Sequence, residues 1–151
     1  MFAQEHNMDT IQPKNNNAFF IELLGATGYF SINYDRKIQV LNQLYIKPGI
    51  GVGYFIETEN TPNILSYALR LDVQYGDRKI NPIVGYAFSH NFDLEDNTKK
   101  YLVNNLTLGL NIKVLKRLEI QPKYYLMFFN ETDYNAIYSM HWSGIQFRFN
   151  F

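Results

Sequence analysis

From Asn17 to Phe151, apolar and polar residues alternate with a period of two in one segment after another. The clearest is the last, where Ile145, Phe147, Phe149 and Phe151 alternate with Gln146, Arg148 and Asn150. Leu65, Tyr67, Leu69, Leu71, Val73 and Tyr75 alternate in the same way with Ser66, Ala68, Arg70, Asp72 and Gln74. This is the period of a strand with one apolar and one polar face. Turn-forming or polar stretches divide the segments, among them Gly25–Gly28, Gly76–Lys79 and Lys116-Arg117. The pattern predicts eight strands: Asn17–Ala26, Tyr29–Arg36, Leu44–Glu57, Asn63–Tyr75, Ile80–Phe92, Tyr101–Leu115, Leu118–Phe129 and a last one ending at Phe151. Asp35–Gln43 reads as a connection, and no helical stretch emerges.

An even number of strands, mostly 8–15 residues long, suits a closed barrel that spans a membrane. A soluble barrel, such as a lipocalin-like carrier of an apolar ligand, would turn its apolar face to the lumen. Here that face is bulky in nearly every segment, and eight strands enclose only enough space for a modest filling. The other face carries Gly49, Gly51, Gly53, Gly85, Ala68 and Ala87, which suit the narrow side. It also carries the charges, with Glu22, Arg70, Asp72, Lys113, Glu119, Lys123 and Arg148 as an expected luminal ion-pair network. Aromatics gather toward both strand ends: Tyr54, Tyr67, Tyr86, Phe88, Tyr101 and Phe128 at one, and Tyr34, Tyr45, Tyr75, Phe149 and Phe151 at the other. Such double girdles mark the two membrane boundaries. The expected fold is all-β, an eight-stranded antiparallel up-and-down transmembrane barrel over residues 17–151.

The connections are asymmetric. Those after the second, fourth and sixth strands carry Arg36-Lys37, Arg78-Lys79 and Lys116-Arg117; those after the third, fifth and seventh are longer and acidic. Short turns on the periplasmic side and long loops outside would put both termini in the periplasm. Three Ile-x-Pro steps, Ile46–Pro48, Ile80–Pro82 and Ile120–Pro122, fall near the starts of odd-numbered strands, where a missing N–H is tolerated.

The 151 residues carry zero formal net charge, so no basic field points to nucleic acid. Cysteine is absent, which excludes disulfides and thiolate metal sites. No run of 18 apolar residues exists to form a transmembrane helix. Residues 1–16 read as a mobile tail, and Met1-Phe2-Ala3 resembles the remnant of a secretory signal peptide.

With its alternating strands, short turns on one side and terminal aromatic, the chain resembles the small eight-stranded outer-membrane barrels of Gram-negative bacteria. In that class the last alternating positions, here Ile145, Phe147, Phe149 and Phe151, form the signal read by the barrel-assembly machinery. The resemblance implies an outer-membrane location and lipid contact and says little about activity.

Candidate chemistry is sparse. His90 follows Ser89, and His141 lies between Ser139 and Ser143, so a rim enzyme acting on lipid or lipopolysaccharide is one reading. Neighbours in a strand point to opposite faces, however, which separates Ser89 from His90. Asp93, Glu95 and Asp96 could contribute to a cation site, but no EF-hand spacing exists, and solvated loop carboxylates are the plainer reading. The GxGxG of Gly49–Gly53 falls at period two with no helix after it, unlike a nucleotide fingerprint. The expected role is non-catalytic and without a cofactor: a structural or interaction protein, an accessory subunit beside a larger outer-membrane complex.

Overall fold

The structure, a computed structural model, describes residues 16–55, 63–94, 100–131 and 136–151. These form eight strands: β1 (Asn16–Gly25), β2 (Gly28–Leu41), β3 (Leu44–Phe55), β4 (Ile64–Tyr75), β5 (Ile80–Asp93), β6 (Lys100–Lys113), β7 (Leu118–Glu131) and β8 (Ala136–Asn150). Each pairs antiparallel with the next, and β1 pairs with β8 to close the barrel. No described helix is long and apolar enough to cross a membrane, a criterion that does not bear on strands.

The register fixes the tilt. From Phe19, cross-strand partners lead through Tyr34, Ile50, Leu69, Phe88, Asn104 and Phe128 to Ser139, while Phe19 itself also faces Phe149 on β8. Ser139 and Phe149 are ten residues apart, so the barrel has a shear of ten. With eight strands this inclines them at roughly 40° to the axis. It also carries the far ends of β5–β8 higher than the short hairpin of β1 and β2.

The two faces separate cleanly. Ile21, Ile50, Leu69, Val84, Leu108 and Phe149 all lie exposed on the outside. Glu22, Asn33, Lys47, Arg70, Gln121 and Arg148 are buried inside. This is the reverse of a soluble carrier, where water would meet the polar face.

Three details differ from the expectation. Asp35–Gln43 is not a connection: β2 continues to Leu41, and only Asn42-Gln43 turns the chain. The period of two carries through the charged pair, so Arg36 is exposed outside and Lys37 is buried inside. The turn after β2 is therefore not basic, and Gln43 supplies the positive φ (66°) that so tight a turn needs. Second, β5 runs on to Asp93, one residue past the predicted strand. Third, Asn16 belongs to β1, while residues 1–15 and 56–62 lie outside the described residues, the end of the third predicted strand among them.

The three prolines of the Ile-x-Pro steps all project outward. Each interrupts pairing with the preceding strand. The β2–β3 register skips from Asp35↔Gly49 to Ile38↔Ile46, the β4–β5 register ends at Gln74↔Ile83, and the β6–β7 register skips from Gly109↔Lys123 to Ile112↔Ile120. A residue without an N–H cannot complete a ladder on that side.

Candidate functional site: the filled lumen and the lipid-facing belt

The lumen is built in layers by the inward residues of all eight strands. At its centre Arg70 of β4 reaches across to Glu22 of β1, Nη1 to Oε2 at 2.8 Å and Nη2 to Oε1 at 3.1 Å. The Tyr125 hydroxyl also donates to Glu22, Gln146 Nε2 donates to it at 2.5 Å, and Arg70 makes a further bond to Asn33. A buried carboxylate is tolerable only with such compensation. Beside it Lys123 pairs with Asp72, and Arg148 donates to Asp35 at 2.6 Å with Glu119 3.7 Å from its Nε. Among the described residues Lys47 Nζ has no hydrogen-bond partner, but it lies in the field of Glu119, Asp35 and Asp72. In this stretch four carboxylates (Glu22, Asp35, Asp72, Glu119) face four cations (Lys47, Arg70, Lys123, Arg148), so the filling is neutral.

Above these layers an apolar cluster sits among buried polar side chains such as Ser66, Ser89 and Asn105. Ala26, Ala87, Val103, Tyr125 and Met127 pack together with Trp142 against them. Tyr29 bridges Trp142 and Phe55, its ring 6.2 and 5.6 Å from theirs. At the opposite mouth Lys37 and Lys113 both donate to Asp77 Oδ1, at 2.8 and 2.7 Å, and Lys37 Nζ stands 4.0 Å from the Tyr45 ring centre. Burial raises the Asp77 pKa, but the bonds from Lys113 and Lys37 outweigh it and hold the carboxyl below the usual aspartate value. These residues line a cavity of about 460 Å³ at that mouth.

Outside, tyrosines turn their hydroxyls toward the two rims. Tyr54 donates to Asn63 at 2.6 Å, Tyr86 to Asn104, and Tyr124 bonds to His141, all toward the loop end. Tyr34 donates to Asn17 at 2.9 Å toward the end with the chain termini. Rings with apolar bodies and polar tips belong at a boundary between lipid and water. Between the belts lie Ile32, Ile50, Leu69, Val84, Leu108 and Ile145.

No protein-family description matches the chain, and no curated protein matches it. Solved structures do. The N-terminal β-barrel domain of Pseudomonas aeruginosa OprF is 12% identical, with a TM-score of 0.58 over 93% of this chain and 100% of that one. Neisserial surface protein A gives 0.51 at 12% identity, over 91% of this chain and 94% of that one. The de novo designed TMB2.3 gives 0.50 at 15% identity, over 93% and 96%. The chain has the fold of an eight-stranded outer-membrane β-barrel.

Within this barrel, the predicted luminal residues do not all meet. Glu22, Arg70, Asp72, Glu119, Lys123 and Arg148 lie in the filled stretch; Lys113 does not, because β6 carries it down to the rim and Asp77. Asp35 and Lys47, charged positions of the same inward face, belong to it as well, and the sequence reading missed Tyr125 and Gln146 as members. All four were legible as inward positions, but nothing local marks which charge lies across the lumen from which. Tyr45, expected in the lower girdle, is buried in the lumen instead, because its position in β3 has inward parity. Tyr101's side chain lies outside the described residues.

Ser89 is buried inward and His90 half-buried outward, so the two cannot pair. His90 stacks on Phe92 with ring centres 4.2 Å apart. His141 is exposed on the outside, three strands away. Asp93 is buried at the end of β5, Glu95 and Asp96 lie outside the described residues, and no metal-ligating cluster occurs among the described ones. Ile145, Phe147 and Phe149 line the outer face of β8, paired with Leu23, Ile21 and Phe19 of β1. Phe151 is exposed just beyond, stacked on Phe19 at 5.4 Å.

Proposed function

We propose that this protein is a non-catalytic outer-membrane barrel that acts as a structural or interaction element, an accessory subunit beside a larger outer-membrane complex. The observation that carries the reading is the lumen. Among the described residues its middle is occupied by a neutral set of paired charges around Glu22–Arg70, with Trp142 and Tyr29 above, which leaves no open passage through that stretch. The surface left for function is the outer wall and the loops.

In this reading the termini and short turns face the periplasm and the acidic loops face outward. Ile145, Phe147, Phe149 and Phe151 serve as the element the assembly machinery engages before β8 closes on β1. Lipid is the constant partner, and a larger membrane protein docks on the apolar wall. Co-purification from mild detergent tests this: a stoichiometric membrane partner is expected, and a barrel that purifies alone under every mild condition would contradict the accessory role. Because the chain has no cysteine, single Asn42→Cys and Leu94→Cys variants test the orientation. An impermeant thiol reagent on intact cells is expected to label Leu94→Cys and spare Asn42→Cys.

A further inference from the structure

The described outer wall has one run of successive polar positions. On the outer face of β8, above Ile145, the outward positions are Ser143, His141 and Ser139, all exposed. They follow one another along one strand face, roughly 7 Å apart. Three features make this stretch more than a polar rim. First, the Tyr124 hydroxyl bonds to Nδ1 of His141. Where the hydroxyl donates, Nδ1 accepts and the ring proton lies on Nε2, which is then a donor. Second, among the described residues β8 has no strand partner on its β1 side here: pairing with β1 stops at Leu23↔Ile145, whereas pairing with β7 continues to Ala136. Every second residue of the free stretch turns its N–H and C=O toward a notch above the β1–β2 turn. Leu24, exposed and at φ 53°, forms the floor of that notch close to Gly144. Third, no carboxylate occurs among the described outward residues of β5–β8.

The depth is equally informative. With a shear of ten, His90, Asn104 and His141 lie within roughly 2 Å of one height. Two tyrosine hydroxyls rise from the apolar band to that level. With the tyrosine belts at the membrane boundaries, it is the level expected of lipid headgroups. The donors His141 Nε2, Ser139 Oγ and Ser143 Oγ, with the free edge of β8 behind them, call for an anionic acceptor rich in oxygen.

We propose that this notch is a seat for a lipid-borne phosphate, with His141 as its principal donor, Ser139 and Ser143 as flanking donors and Tyr124 as the residue that positions the imidazole. The proposal rests on the barrel spanning a membrane. The test reconstitutes the full chain in phosphatidylcholine vesicles doped with phosphatidic acid or with diacylglycerol of the same acyl chains. Lipid that stays with the protein after gentle detergent release is then quantified by native mass spectrometry. Phosphatidic acid is expected to be retained over diacylglycerol by about tenfold, as befits a charge-assisted hydrogen bond. His141→Ala should abolish the preference, Tyr124→Phe should reduce it severalfold, and His90→Ala, at the same height on another strand, should leave it intact. An unchanged preference in His141→Ala, or equal retention of the two lipids, overturns the proposal. Competition by millimolar inorganic phosphate would show a soluble-anion site and overturn the lipid source. Failure to insert into vesicles at all would instead overturn the membrane reading, and heat-modified gel migration of each variant establishes which case holds.

Discussion

Glu22 shows how a single buried charge organises this molecule. Its two oxygens accept from Ser31, Arg70, Tyr125 and Gln146, side chains from four other strands. Removing one partner strands the other: Glu22→Ala or Arg70→Ala should each cost about 3–5 kcal/mol, the penalty of an uncompensated buried charge. Removing both as Glu22→Leu/Arg70→Met should cost clearly less than the sum of the single losses. Urea unfolding of the refolded barrel in detergent micelles measures all three. Additive losses would mean that the two side chains do not act as a pair.

At the scale of the element, the strand faces decide what each substitution costs. Leu69 lies on the outside of β4 between the two belts, and Leu115 lies on the turn between β6 and β7. Leu69→Arg should therefore destabilise by about 2–4 kcal/mol and Leu115→Arg by about 0–1, when folding is measured in lipid vesicles. Equal effects would remove the depth dependence that lipid imposes. The turn carrying Asp77 makes a pH prediction. Its depressed carboxyl contributes stability that is complete above the unfolded aspartate pKa of about 3.9 and is lost as pH falls through the lower folded value. Asp77→Asn should thus be less stable than the parent at pH 7, with the gap closing on acidification below about pH 4; a gap that stays constant would exclude the Lys37–Asp77–Lys113 clamp as its cause.

These elements were largely legible in the sequence because alternation is a local property. The faces of β4, β5 and β7 follow from every second residue. The period held even where charge suggested otherwise, and Arg36-Lys37 misled only because two adjacent cations look like a turn. What alternation cannot carry is pairing across the lumen. Glu22 meets Arg70 because tilt and shear bring β1 and β4 to one height, a property of the closed barrel and not of either strand. Lys113 was misplaced for the same reason: its parity is inward, but its height puts it at the mouth. The notch beside His141 was equally hidden, since it depends on β1 being shorter than β8.

For the whole molecule, the inverted distribution of polarity is the organising fact. The outside is apolar between two tyrosine belts, the inside is charged and balanced, and the sheet has no free edge across the apolar band. Only lipid makes such an object stable, since the exposed wall would drive aggregation in water. The same arrangement leaves the wall, the loops and the notch as the places where this barrel can meet others. The most direct test is fractionation of cells producing the full chain, followed by gel electrophoresis with and without boiling. The protein should resist extraction by detergent-free alkaline carbonate, dissolve in detergent, and migrate as a compact band that shifts on heating. A folded protein released into buffer without detergent, migrating identically before and after boiling, would contradict the account.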